Sequence, residues 1–106
     1  MMSHPLLDST LALLAKLVAF DTRSSQSNLP LIEFVQDYLH RHGIATSLIY
    51  DETRTKANLF ATIGAPDRPG ICLSGHTDVV PAAGQPWTVP PFELTLAADR
   101  AYGRGT

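Results

Sequence analysis

The feature that most constrains this chain is a change in its hydrophobic period near residue 45. Before that point apolar residues recur every three or four positions; after it they alternate or cluster in short runs between turn residues. Leu7, Leu11, Leu14 and Val18 lie on one helical face, with Thr10 and Lys16 off it. That predicts a first amphipathic helix beginning between His4 and Ser9. A polar, serine-rich loop spans Asp21 to Asn28. A second helix follows, with Asn28 as its cap, Pro30 in its first turn, and Ile32, Val35 and Leu39 as its apolar stripe. Gly43 suits the position just past its end, and His40, Arg41 and His42 suit the negative end of its dipole. Beyond the change of period, Thr46–Tyr50 and Asn58–Ile63 read as strands. Gly64–Gly70 is turn material, and Ile71-Cys72-Leu73 reads as a short buried strand pairing with Asn58–Ile63. His76 to Pro91 is loop, carrying Pro81, Pro86, Pro90 and Pro91. Phe92–Ala97 and Ala101–Tyr102 then form a small hairpin turning at Asp99. Helices followed by strands predict an α/β domain, with helices on the faces of a mixed sheet.

With 106 residues there is room for one domain. A formal net charge of -2 gives no reason to expect nucleic acid or an anionic membrane as partner. Cys72 is the only cysteine, so no internal disulfide can form, and an inert core thiol is expected. The opening residues lack the positive charge of a secretory signal, and the run Leu11–Phe20 is too short to span a bilayer. A cytoplasmic location is the expectation.

The stretch richest in chemistry is Ser74-Gly75-His76-Thr77-Asp78-Val79-Val80-Pro81. A histidine and an aspartate two residues apart, at a strand end beside a loop, sit where α/β proteins place their sites. Imidazole is a strong zinc ligand, and a carboxylate on its other ring nitrogen fixes the tautomer. On its own, His-x-Asp reads more often as a hydrogen-bonded structural pair than as a metal site. Trp87 is expected to pack over a sheet edge, His4, His40 and His42 to lie at the surface, and Arg104 to serve the approach to the next motif rather than meet an anionic substrate.

Four segments in order resemble one family, the zinc-dependent deacetylases, desuccinylases, aminoacylases and carboxypeptidases. They are Lys56–Gly64, Ser74–Pro81, Trp87 with Pro91-Phe92, and Tyr102–Thr106. Pro90 departs from the acidic residue common before that Pro-Phe pair. The resemblance implies the first part, over 1–106, of an α/β/α catalytic domain built on a partial mixed sheet, in an exopeptidase-like hydrolase with two Zn2+ ions; Co2+ is a possible substitute. It implies His76 as a metal ligand and Asp78 as the catalytic residue that orients it. It further implies an N-acyl amino acid as substrate, N-acetyl-L-ornithine in first place, and a homodimer for the complete enzyme. In that family an aspartate bridging the metals follows the Gly-x-Gly-Thr run after one residue, and paired glutamates come later. Those groups lie outside these residues, so the 106-residue chain alone is expected to be inactive and to bind zinc poorly. Two other readings stay open. One is a metallo-phosphoesterase or metallo-β-lactamase site; the latter wants His-x-His-x-Asp, and Ser74 stands where the first histidine belongs. A non-catalytic α/β binding domain would make His76 and Asp78 structural.

Overall fold

The structure is a computed structural model and describes residues 4–106. It holds two helices, α1 (Pro5–Val18) and α2 (Leu29–Arg41), and four strands. These are β1 (Thr46–Tyr50), β2 (Ala57–Ala61), β3 (Thr95–Ala97) and β4 (Arg100–Tyr102). The class is mixed α/β, and the sheets are two antiparallel hairpins, β1-β2 and β3-β4. The chain gathers into two compact units, Ser25–Asp78 and the segment ending at Ser24 taken with Val79–Thr106.

In the unit built around α2, the helix start departs from the expected capping. Asn28 holds the N-cap position, but its side chain makes no cap hydrogen bond. Ser27 Oγ accepts from the Leu29 N–H instead, at 3.2 Å. The Asn28 carboxamide has a stronger claim on it, a two-point pairing with Ala57 at the head of β2. Its Oδ1 accepts from the Ala57 N–H at 2.9 Å, and its Nδ2 donates to the Ala57 carbonyl at 3.0 Å. The other end of α2 follows expectation. The Gly43 N–H donates to the His40 carbonyl and the Ile44 N–H to the Leu39 carbonyl, each at 3.0 Å. Gly43 has a φ of +73°, so this is a Schellman ending. α2 packs against β1 and β2, with Leu31 and Ile32 buried.

The β1-β2 register runs from Thr46 opposite Ala61 to Tyr50 opposite Ala57. β2 alternates as a half-covered strand should, with Ala57, Leu59 and Ala61 turned inward and Asn58 and Phe60 outward. Asp51 closes the connecting turn by accepting the Thr55 and Lys56 N–H groups on Oδ1 and the Thr53 hydroxyl on Oδ2.

Two expectations fail here. Ile71-Cys72-Leu73 forms no strand, and Ile71 and Leu73 are 92% and 93% exposed. Cys72 is exposed rather than sealed in a core. The run has a strand's composition, but a strand exists only where a ladder satisfies its backbone, and β2 pairs with β1 alone, with no ladder to this run on its other edge.

In the other unit, α1 is capped by His4, whose Nδ1 accepts from the Leu6 N–H at 3.2 Å. Pro5, lacking an N–H, fills the first helical position at no cost. Val18 and Thr22 are buried. The Val79 N–H donates to the Thr22 carbonyl and the Ser24 N–H to the Val79 carbonyl, both at 3.0 Å. β3 and β4 join through Ala98 and Asp99, with Ala97 opposite Arg100. Among the described residues no helix is long and apolar enough to cross a membrane.

Candidate metal centre

His76, Thr77 and Asp78 lie in a loop that no strand precedes, which corrects the expected strand-end placement. The pairing within this triplet is close. His76 Nδ1 is 2.9 Å from Asp78 Oδ1 and 3.0 Å from the Asp78 carbonyl oxygen. Both partners are oxygens that only accept, so the proton of a neutral imidazole belongs on Nδ1. That leaves the Nε2 lone pair as the free donor of the ring, the arrangement a metal-binding imidazole needs. The His76 side chain is 83% exposed. It borders an open cleft of about 710 Å³ that Asn28, Ile32, Leu59, Cys72 and Asp78 also line.

The middle residue of the triplet turns elsewhere. Thr77 Oγ1 accepts from Asn28 Nδ2 at 3.3 Å. Asn28 therefore joins three pieces of this unit: the start of α2, the first residue of β2, and the loop carrying His76. Sequence reasoning saw Asn28 only as a cap. An asparagine preceded by a serine able to do the same job was the available signal.

As a metal site the residues are incomplete. Among the described residues no group of three or more His, Cys, Asp or Glu side chains could hold a metal ion. What fits a metal is one imidazole with a carboxylate behind it, where a full site needs three or four protein ligands. His40 is engaged through Nε2 with Thr46 Oγ1 at 3.1 Å, and the His42 ring lies 4.8 Å from that of Tyr38.

Arg104 and Trp87 meet in the other unit. The guanidinium carbon stands 4.7 Å from the centroid of the Trp87 ring. Arg104 Nη2 donates to Gln85 Oε1 and to the Pro81 carbonyl, and Trp87 Nε1 donates to the same Gln85 oxygen. Arg104 is thus tied to the 81–87 loop, and Trp87 is the flat surface it rests on. The glycines beside it are required by close approach. A Cβ at Gly103 would stand 2.9 Å from Val18 Cγ1, and one at Gly105, where φ is +86°, 2.8 Å from Val79 Cγ1.

Residues 72–106 match peptidase family M20/M25/M40. Over that third of the chain the sequence is similar to that family. The matched M20/M25/M40 segment takes in His76, Asp78 and the Gly103–Thr106 run. Similar proteins include a succinyl-diaminopimelate desuccinylase of Rickettsia bellii, 41% identical over 88% of this chain and 24% of its own length. An acetylornithine deacetylase of Proteus mirabilis is 40% identical over 83% of this chain and 23% of its own. One of Pasteurella multocida is 39% identical over 92% and 27%. The chain spans about a quarter of the length of these curated relatives. No solved structure matches it significantly.

Proposed function

We propose that this chain supplies one metal ligand, His76, and the carboxylate that orients it, Asp78, to a metal-dependent hydrolase of linear amides. The observation that carries the reading is the 2.9 Å contact between His76 Nδ1 and Asp78 Oδ1 on an imidazole otherwise open to a cleft. The carboxylate holds the Nδ1 proton, directs Nε2 outward as the ligating atom, and raises its basicity. A bound divalent metal, Zn2+ first and Co2+ as a substitute, supplies Lewis acidity toward the scissile carbonyl. The ligands that complete a two-metal site do not come from the described residues. The substrate is an N-acylated amino acid, with N-acetyl-L-ornithine the first choice. N-succinyl-diaminopimelate is the second, favoured by relatives of that name at equal similarity. The resemblance also supports a homodimer, and the single cysteine fits a reducing, cytoplasmic setting.

The test is an assay of amine release from both substrates by the full product of the encoding gene, loaded with Zn2+. Hydrolysis of one of them is expected, with His76→Ala lowering kcat/KM at least about 100-fold, the scale on which lost metal ligation and its surroundings act. Full activity in the His76→Ala protein would remove the ligand role. An inactive wild-type product would remove the hydrolase reading itself.

A further inference from the structure

Resting on that reading, we propose that Asn28 and Thr77 form a positioning pair that aims the His76 imidazole, with Asn28 holding Thr77 and Thr77 holding the loop. Residues 71–78 form no strand, so no ladder fixes the directions of their side chains. The two outer side chains, His76 and Asp78, meet each other at 2.9 Å, while the middle side chain is tied to Asn28 at 3.3 Å.

The anchor itself is held at two points. Asn28 pairs with both the N–H and the carbonyl of Ala57, which is 3% exposed. That two-point pairing settles which end of the carboxamide is oxygen, because the Ala57 N–H needs an acceptor. The nitrogen then has one proton for the Ala57 carbonyl and one left over, and the second goes to Thr77. Pro30 at the second helical position has no N–H to offer a cap, and Ser27 Oγ accepts from the Leu29 N–H, so the Asn28 carboxamide is used elsewhere. The chain of contacts runs from a buried strand head, through one rigid amide, to the residue between the proposed ligand and its orienting carboxylate. Asn28 and Thr77 touch neither metal nor substrate in this scheme; they act through His76.

The experiment reads the imidazole directly and needs neither metal nor turnover. The chain is labelled with 15N-histidine and held at a concentration where light scattering shows a monomer. The Nδ1–H signal of His76, and the separation of its two ring-nitrogen shifts, report the bond to Asp78; Asp78→Asn marks the signature of its loss. Thr77→Val removes the hydroxyl while leaving the Asn28–Ala57 pairing in place, and is expected to lose the Nδ1–H signal as Asp78→Asn does. Thr77→Ser, which restores a hydroxyl, is expected to retain it. Asn28→Ala is expected to lose it as well; should that variant unfold, the two Thr77 variants still decide the matter. Retention of the wild-type signature in Thr77→Val would overturn the proposal, as would its loss in Thr77→Ser. So would its absence from the wild-type chain. None of these outcomes bears on hydrolysis, and an inactive gene product would leave the signature untouched.

Discussion

The Asp78 side chain meets His76 through Oδ1, a contact that can be removed without touching the ring. In the proposed role the carboxylate holds the Nδ1 proton and Nε2 is the ligating atom. Asparagine at this position is isosteric, but its amide can present a nitrogen to Nδ1, which leaves the backbone carbonyl of residue 78 to hold the proton there. Asp78→Asn is therefore expected to weaken zinc binding by the full gene product about 10–100-fold, with the fold unchanged. Titration against a competing chelator measures this. An affinity equal to wild type would show that the Asp78 contact does not tune His76. The pairing of His76 with Asp78 was legible because their types and spacing carry a mechanism, and the two side chains do meet at 2.9 Å. Asn28 was not. Asparagine before a helix has a generic explanation, and only the position of Ala57, 29 residues away in sequence, shows that its carboxamide is occupied elsewhere.

At the scale of elements, the connections were easier to read than the strands. Gly43 ending α2, and the two-residue turn at Ala98-Asp99, follow from local chemistry that needs no distant partner. Ile71-Cys72-Leu73 misled because strand formation is settled by what lies alongside, which no local pattern contains. The β1-β2 turn gives a pH prediction. Asp51 has its carboxyl lowered from the ordinary value, first by the Lys56 N–H, then by the Thr53 hydroxyl and the Thr55 and Arg54 N–H groups, against the opposing effect of desolvation. A depressed carboxyl contributes stability above the unfolded-state pKa, about 3.9, and loses it as pH falls through the lower folded value. Hairpin protection in amide exchange should hold from neutrality to about pH 4 and then decline. In Asp51→Asn the protection should be lower at neutrality and flatter in acid; an unchanged profile would exclude the turn's dependence on this carboxylate. Gly105 gives a second prediction. Alanine there meets both a left-handed backbone and Val79 Cγ1 at 2.8 Å, so Gly105→Ala should lower stability by at least about 1 kcal/mol in thermal unfolding. A neutral substitution would mean that Val79 yields without cost.

For the molecule as a whole, the quantity that matters is how little apolar surface it hides. Among the described residues the buried hydrophobic side chains are Val18, Leu31, Ile32, Ala57 and Ala82, and two of those five are alanines. Meanwhile Ile49, Phe60, Ile63, Ile71 and Leu73 are each more than half exposed. At roughly 25 cal/mol for each Å² removed from water, such a core offsets little of the conformational entropy that ordering the chain costs. The same exposed side chains gain by meeting any apolar surface, including that of a second copy. The 106-residue chain is therefore expected to bind a hydrophobic dye such as ANS under native conditions, and to associate as its concentration rises. Ile71 and Leu73 are the sharpest test, because they lie in no strand and contribute to no buried cluster. Replacing both with lysine should reduce dye binding and hold the chain monomeric at higher concentration, while shifting its stability by no more than about 0.5 kcal/mol, as exposed positions do. A large loss of stability in the double variant would mean that the 71–73 run is packed in solution, and that the thin core described here is thicker than these five residues make it.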